Sequence, residues 1–118
     1  MIRVLLVDDI GEVRRGLKER LNFEPDIDVV GEAENSLDAL EMAAKLRPEV
    51  VIMDLKMPQV DGIATTLALK ATLPQSRVIM LSLYDDPVNR SRAKEAGAMA
   101  FIAKQAGETA LLEAIRSA

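Results

Sequence analysis

The stretch VVIMDLKMPQVDG, Val50 to Gly62, decides how the rest of the chain is read. Val50, Val51, Ile52 and Met53 are four apolar residues without alternation, the pattern of a short strand buried on both faces, and they run straight into a carboxylate, Asp54. Pro58 and Asp61-Gly62 turn the chain before the next helical period begins. Asp54 is therefore expected at the carboxyl edge of a sheet, at the mouth of a loop, where open α/β sheets bind ligands.

Working outward, Ile2 and Val4 to Val7 predict a first strand ending on Asp8-Asp9. Ile10, Val13, Leu17 and Leu21 follow at spacings of three and four, one face of a helix. Glu24-Pro25-Asp26 breaks that helix, and Val29, Val30 and Ala33 predict a second, weaker strand interrupted by Gly31 and Glu32. Asn35 or Ser36 caps a helix carrying Leu37, Leu40 and Ala44, which Arg47-Pro48 stops. Beyond Gly62, Ile63, Leu67 and Ala71 predict a third helix, ended by Leu73-Pro74. Val78 to Leu81 form a fourth strand closing on Ser82. Asp85 or Asp86, with Pro87 just inside, starts a helix over Val88, Ala93 and Ala96 that has a thin apolar face and stops at Gly97. Met99 to Ile102 form a fifth strand leading to Lys104, and Leu111, Leu112 and Ile115 place a last helix. Five alternating strands and helices imply an α/β fold, a parallel sheet with helices on both faces, and right-handed crossovers allow the doubly wound order 2-1-3-4-5.

At 118 residues, 49% hydrophobic and 29% charged, the chain is expected to be one globular domain, residues 1–118. It has no apolar run of membrane-spanning length and no room for a signal peptide before the first strand, so the cytoplasm is the expected compartment, with no membrane partner. Absence of cysteine and histidine removes disulfides, thiol catalysis, the commonest general base and the usual zinc ligands. A net charge of −4 argues against this domain gripping nucleic acid itself.

The polar residues fall where strands end: Asp8 and Asp9 after the first, Asp54 at the third, Ser82 at the fourth, Lys104 after the fifth. In a parallel sheet those ends point the same way. Three carboxylates at one edge repel unless protons or a cation relieve them, and a hard, oxygen-seeking cation such as Mg²⁺ does so economically. A hydroxyl and an ammonium beside it suit a transferring phosphoryl group. Taken singly, each residue has a plainer reading: Asp8-Asp9 as a helix cap, Asp54 as a turn opener, Lys104 as a solvated lysine, Ser82 as a strand-end hydroxyl. Those readings would have to coincide at four strand ends.

From Val4 to about Arg116 the chain resembles a bacterial two-component response-regulator receiver domain, a flavodoxin-like fold. The resemblance rests on Asp8-Asp9, on Asp54-Leu55-Lys56-Met57-Pro58 with Asp61-Gly62, on Ser82 and on Lys104 in FIAK. It implies that Asp54 accepts a phosphoryl group from a phosphohistidine of a sensor histidine kinase. It further implies that Asp9, Asp54 and the Lys56 backbone carbonyl hold Mg²⁺ with help from Asp8, that Lys104 pairs with the phosphoryl group, and that Ser82 hydrogen-bonds it. Phe101 stands at the family's switch aromatic, where the plainer reading is a core residue of the fifth strand. Phosphorylation is expected to draw Ser82 inward and let Phe101 turn, changing the face made by the fourth helix, fifth strand and fifth helix, with homodimerisation as one outcome.

Three positions depart from the common pattern: Gln105 follows Lys104 where many members place proline, Ser82 replaces threonine, and Leu83 replaces alanine. Leu83, with Lys56 and Tyr84, is expected to slow self-dephosphorylation. The wording of DLKMP and FIAK is nearest to receivers whose output is a helix-turn-helix DNA-binding domain, so an excised receiver of a transcriptional regulator is expected, with a stand-alone receiver acting through protein contacts as the alternative. An aspartyl phosphohydrolase usually carries a second Asp two residues beyond the nucleophile, where this chain has Lys56. A flavodoxin-like electron carrier would bring phosphate against Asp8-Asp9.

Overall fold

Every strand pairing in the sheet is parallel, and the strand order is β2-β1-β3-β4-β5. The computed structural model describes all 118 residues: β1 (Ile2–Val7), α1 (Gly11–Asn22), β2 (Ile27–Ala33), α2 (Ser36–Leu46), β3 (Val50–Asp54), α3 (Gly62–Thr72), β4 (Arg77–Ser82), α4 (Pro87–Ala96), β5 (Ala100–Ala103), a single 3₁₀ turn (Lys104–Ala106) and α5 (Glu108–Ser117). No helix is long and apolar enough to cross a membrane.

The unalternating run in β3 is explained by cores on both sides. Val51 and Met53 face one cluster, shared with Ala39 and Ala43 of α2, Ile63 and Leu69 of α3, and Ala93 and Ala96 of α4. Val50 and Ile52 face the other, shared with Leu21 of α1 and Leu111 and Ile115 of α5. Each fully buried Leu, Ile or Val side chain contributes about 1.5–3 kcal/mol, so two dry faces hold β3 at the centre. Its register sets Val7 beside Met53 and Asp54 beside Leu81, which brings the ends of β1, β3 and β4 to one edge.

The helices exist where expected, but several expected faces do not. Ile10 is the residue before α1 and is 51% exposed, Val13 is exposed, and only Leu21 of that stripe is fully buried. In α2 Leu37 and Ala44 are exposed while Ser36, Ala39 and Ala43 face the sheet. In α3 Leu67 and Ala71 are exposed and the buried stripe is Gly62, Ile63, Thr65, Thr66 and Leu69. The reason is steric. Helices packed closely on a sheet and on each other favour alanine, glycine and hydroxyl residues, which an apolar count passes over. Thr65 shows how a hydroxyl is buried there, donating to the Asp61 carbonyl at 2.8 Å and accepting from the Ser36 hydroxyl at 2.7 Å. The Gly31 interruption in β2 likewise has a packing cause: a Cβ there would lie 2.8 Å from Leu46 and 2.9 Å from Met42 of α2.

Of the alternative caps, Asn35 accepts from the Asp38 amide and Asp86 from the Asn89 amide, and Asp61 caps α3 by accepting from the Ala64 amide. Val88 in α4 is 66% exposed, leaving Ala93 and Ala96 as that helix's buried residues.

Candidate functional site

Asp54 is the last residue of β3, and the first residue of α3 lies directly against its backbone. Gly62 donates its amide to the Leu55 carbonyl at 2.7 Å, and a Cβ on Gly62 would stand 2.1 Å from the Asp54 carbonyl oxygen. Only glycine permits that approach, so Gly62 helps fix the Asp54 backbone, a role beyond the turn that its pairing with Asp61 suggests.

Asp8, Asp9 and Asp54 each present a carboxylate oxygen, and the three oxygens lie within 4.8 Å of one another. Asp8 and Asp54 are buried, and Asp9 is half-buried. The Lys104 ammonium reaches in from beyond β5 and lies 3.1 Å from Asp8 Oδ2 and 3.4 Å from Asp54 Oδ1. The expected juxtaposition of Asp8, Asp9, Asp54 and Lys104 is thus present in the fold.

Burial first, then the charge of Asp8, pushes the Asp54 carboxyl up to about 6 against the opposing pull of Lys104. Burial alone would lower the Lys104 ammonium, but Asp54 and Asp8 outweigh it and hold that group above its usual value. One ammonium among three carboxylates leaves the cluster net negative and short of positive charge. All its donors are oxygens at close range, the set a small hard cation takes, so the residues present fit a divalent metal of that kind.

Asp8 is held at every polar group it has. Its amide donates to the Ala33 carbonyl at 3.1 Å, its Oδ1 accepts from the Ile10 amide at 2.9 Å, its Oδ2 accepts from Lys104, and its carbonyl accepts from Arg14 Nη1 at 2.6 Å. The plain reading of Asp8 as a local cap is therefore partly realised alongside its place in the cluster. Arg14 was not among the residues singled out in the sequence. Its placement at the cluster could have been suspected from a cation four residues into a helix that begins at an acidic pair.

Ser82 is fully buried, and its hydroxyl accepts from the Tyr84 amide at 2.9 Å, turned into its own loop. Lys56 is exposed, with its ammonium 5.3 Å from the centre of the Tyr84 ring. Phe101 is half-buried against the α2–α4 core, and the Arg90 guanidinium covers its ring at 4.9 Å from the centre. Arg90 also pairs with Asp85 and donates weakly to the Phe101 carbonyl at 3.4 Å. A groove of about 700 Å³ lies at the opposite end of the sheet among Pro48, Glu49, Ser76, Arg77 and Arg116, away from every expected site residue.

Residues 4–116 match the family described as response regulator receiver domain. Among curated proteins, the response regulator protein VraR of Staphylococcus saprophyticus is 40% identical over 115 residues, covering 98% of this chain and 55% of that protein. The transcriptional regulatory protein LiaR of Bacillus subtilis is 38% identical over 118 residues, covering all of this chain and 56% of that protein. The chain thus spans about half the length of the curated relatives it matches. Among solved structures, the response regulator domain of Thermotoga maritima CheB superposes with a TM-score of 0.91 at 37% identity, over 100% of this chain and 96% of that one. A LuxR-family two-component response regulator from Aurantimonas sp. gives 0.94 at 29% identity, over 98% of this chain and 82% of that one. With the family matched from strand β1 to helix α5, and its acidic cluster and lysine drawn together at one sheet edge, the chain belongs to the response regulator receiver domains.

Proposed function

We propose that this receiver domain is a phosphorylation switch in which Asp54 takes a phosphoryl group from a phosphohistidine of a sensor histidine kinase. The observation that carries the reading is the convergence of Asp8, Asp9, Asp54 and Lys104 at one edge of the sheet. An Asp54 oxygen attacks phosphorus, the phosphorus–nitrogen bond breaks, and the histidine nitrogen leaves with its electron pair. Lys104 is placed to neutralise charge on the phosphoryl oxygens, and Ser82 would donate to one of them after giving up its contact with the Tyr84 amide. Asp9, Asp54 and the Lys56 carbonyl would hold Mg²⁺, with Asp8 helping directly or through water. When bound, that ion supplies positive charge where the phosphoryl oxygens crowd the carboxylates. The domain then acts on itself, catalysing its own phosphorylation and dephosphorylation.

Phe101, released from Arg90 as Ser82 moves, would reshape the surface of α4, β5 and α5 for a partner, a second phosphorylated copy among the candidates. The description of LiaR as a transcriptional regulatory protein supports placing this receiver, residues 1–118, in a cytoplasmic transcription regulator whose DNA contact is made by a separate output domain.

The test is incubation with Mg²⁺ and a small phosphodonor followed by intact-mass measurement. The parent should gain one phosphoryl mass and Asp54→Ala none. An unmodified parent, or equal modification of both proteins, would remove the assignment.

A further inference from the structure

We propose that Arg14 is a positioning residue for the acidic loop, holding the Asp8–Asp9 peptide plane so that Asp9 meets Asp54 in a geometry able to receive a divalent cation. This rests on the function proposed above and concerns how that site is built.

Asp9 lies within side-chain hydrogen-bond reach of Asp54, itself a carboxylate, and is held by no cation and no backbone amide, so its direction is set chiefly by the backbone that carries it. The Asp8 carbonyl belongs to the same rigid peptide plane as the Asp9 amide, and fixing that oxygen fixes the plane from which Asp9 emerges. Arg14 Nη1 donates to this carbonyl at 2.6 Å. The Arg14 side chain, 15% exposed, is tied at its other end by Nε to Glu32 Oε1 at 3.1 Å, and Lys18 holds the second Glu32 oxygen at 3.3 Å. Arg14 also lines a small cavity behind the cluster together with Asp8 and Asp54.

The acidic groups around it favour a cation here, but the helix dipole by itself does not. Arg14 lies one turn into α1, near the positive end of the helix, and α1 has no side-chain cap from Ile10. Helical side chains lean toward the N-terminus, which lets the guanidinium reach back over the loop. Its planar fork can serve a carbonyl and a carboxylate together, whereas a lysine would supply a point charge without that fixed separation.

The experiment is a calorimetric Mg²⁺ titration of the parent, Arg14→Met, Arg14→Lys, Glu32→Gln and Arg15→Met. Simple Coulombic reasoning predicts tighter binding once a neighbouring positive charge is removed. Positioning predicts the opposite: a loss of about tenfold in Arg14→Met, in the range seen when groups that orient metal ligands are removed. Arg14→Lys should fall between that variant and the parent, Glu32→Gln should lose less than Arg14→Met, and Arg15→Met, exposed on the same helix, should match the parent. Phosphorylation of Arg14→Met by a small phosphodonor should be slowed at low Mg²⁺ and restored at saturating Mg²⁺. Should Arg14→Met fail to fold by circular dichroism, Arg14→Lys carries the comparison. Mg²⁺ affinity equal to or tighter than the parent in the folded Arg14 variant overturns this inference alone. A parent that gives no Mg²⁺ binding overturns the proposed function and this inference with it.

Discussion

The two halves of the sheet are held very differently. Every residue of β3 is buried, and the following helix α3 buries five of its residues. In β5 every residue is only half-buried, α4 buries two alanines, and Leu83, Tyr84, Val88 and Met99 around them are exposed. Asp54 belongs to the first half, whereas Lys104, the Ser82 loop and Phe101 belong to the second. A site built across such a boundary has its acceptor on a stiff support and its sensing groups on a loose one, so charge added at Asp54 is expected to be answered by movement on the β5 side.

The comparison is broken most directly through two glycines. Gly62→Ala drives a methyl into the Asp54 backbone and should cost about 3 kcal/mol or more in urea unfolding. Gly107, on the loose side at φ +92° and ψ 175° with open space around it, should cost less, about 2 kcal/mol as alanine, from backbone strain alone. Equal losses would show that the two halves are equally rigid.

Next in size is the charge stored in the stiff half. A carboxyl whose folded value is raised from 3.8 to about 6 favours folding when protonated, a contribution that is full below about 3.8 and lost as pH rises through about 6. Asp54→Asn should therefore be more stable than the parent by roughly 2 kcal/mol at pH 7, with the gain vanishing near pH 4. Thermal unfolding across that range measures it, and Mg²⁺ should narrow the gap at pH 7 by stabilising the parent. Amide exchange gives a smaller contrast, in which α4 should exchange about tenfold faster than α3. Smallest is the effect expected of Leu83, whose side chain is 57% exposed. Leu83→Ala should speed loss of the phosphoryl group roughly two- to fivefold, followed by intact mass over time.

What could be read in advance does not follow that division. The run Val50 to Met53 and the strand-end carboxylates were legible because burial on two faces and the break at a charge both leave local marks. The helix faces of α2 and α3 were not, because Ser36, Thr65, Thr66 and the alanines that fill them carry no apolar signal. Arg14 leaves only a weak mark, a cation one turn into the helix after an acidic pair, because its partner is a carbonyl, a group every residue possesses. Gly62 was visible as a turn, but its closeness to the Asp54 backbone exists only in three dimensions.

The Arg90 clamp over Phe101 has a further consequence. The cation is anchored to Asp85 at the solvent-facing loop and lies on the aromatic face, so freeing the ring requires separating an exposed ion pair. The paired groups touch at 3.1 Å, well inside the roughly 10 Å screening length at 0.1 M, so ordinary salt leaves this latch closed and only concentrations near 1 M, where that length falls to about 3 Å, should loosen it. Concentrated salt should then free the aromatic in the unmodified domain.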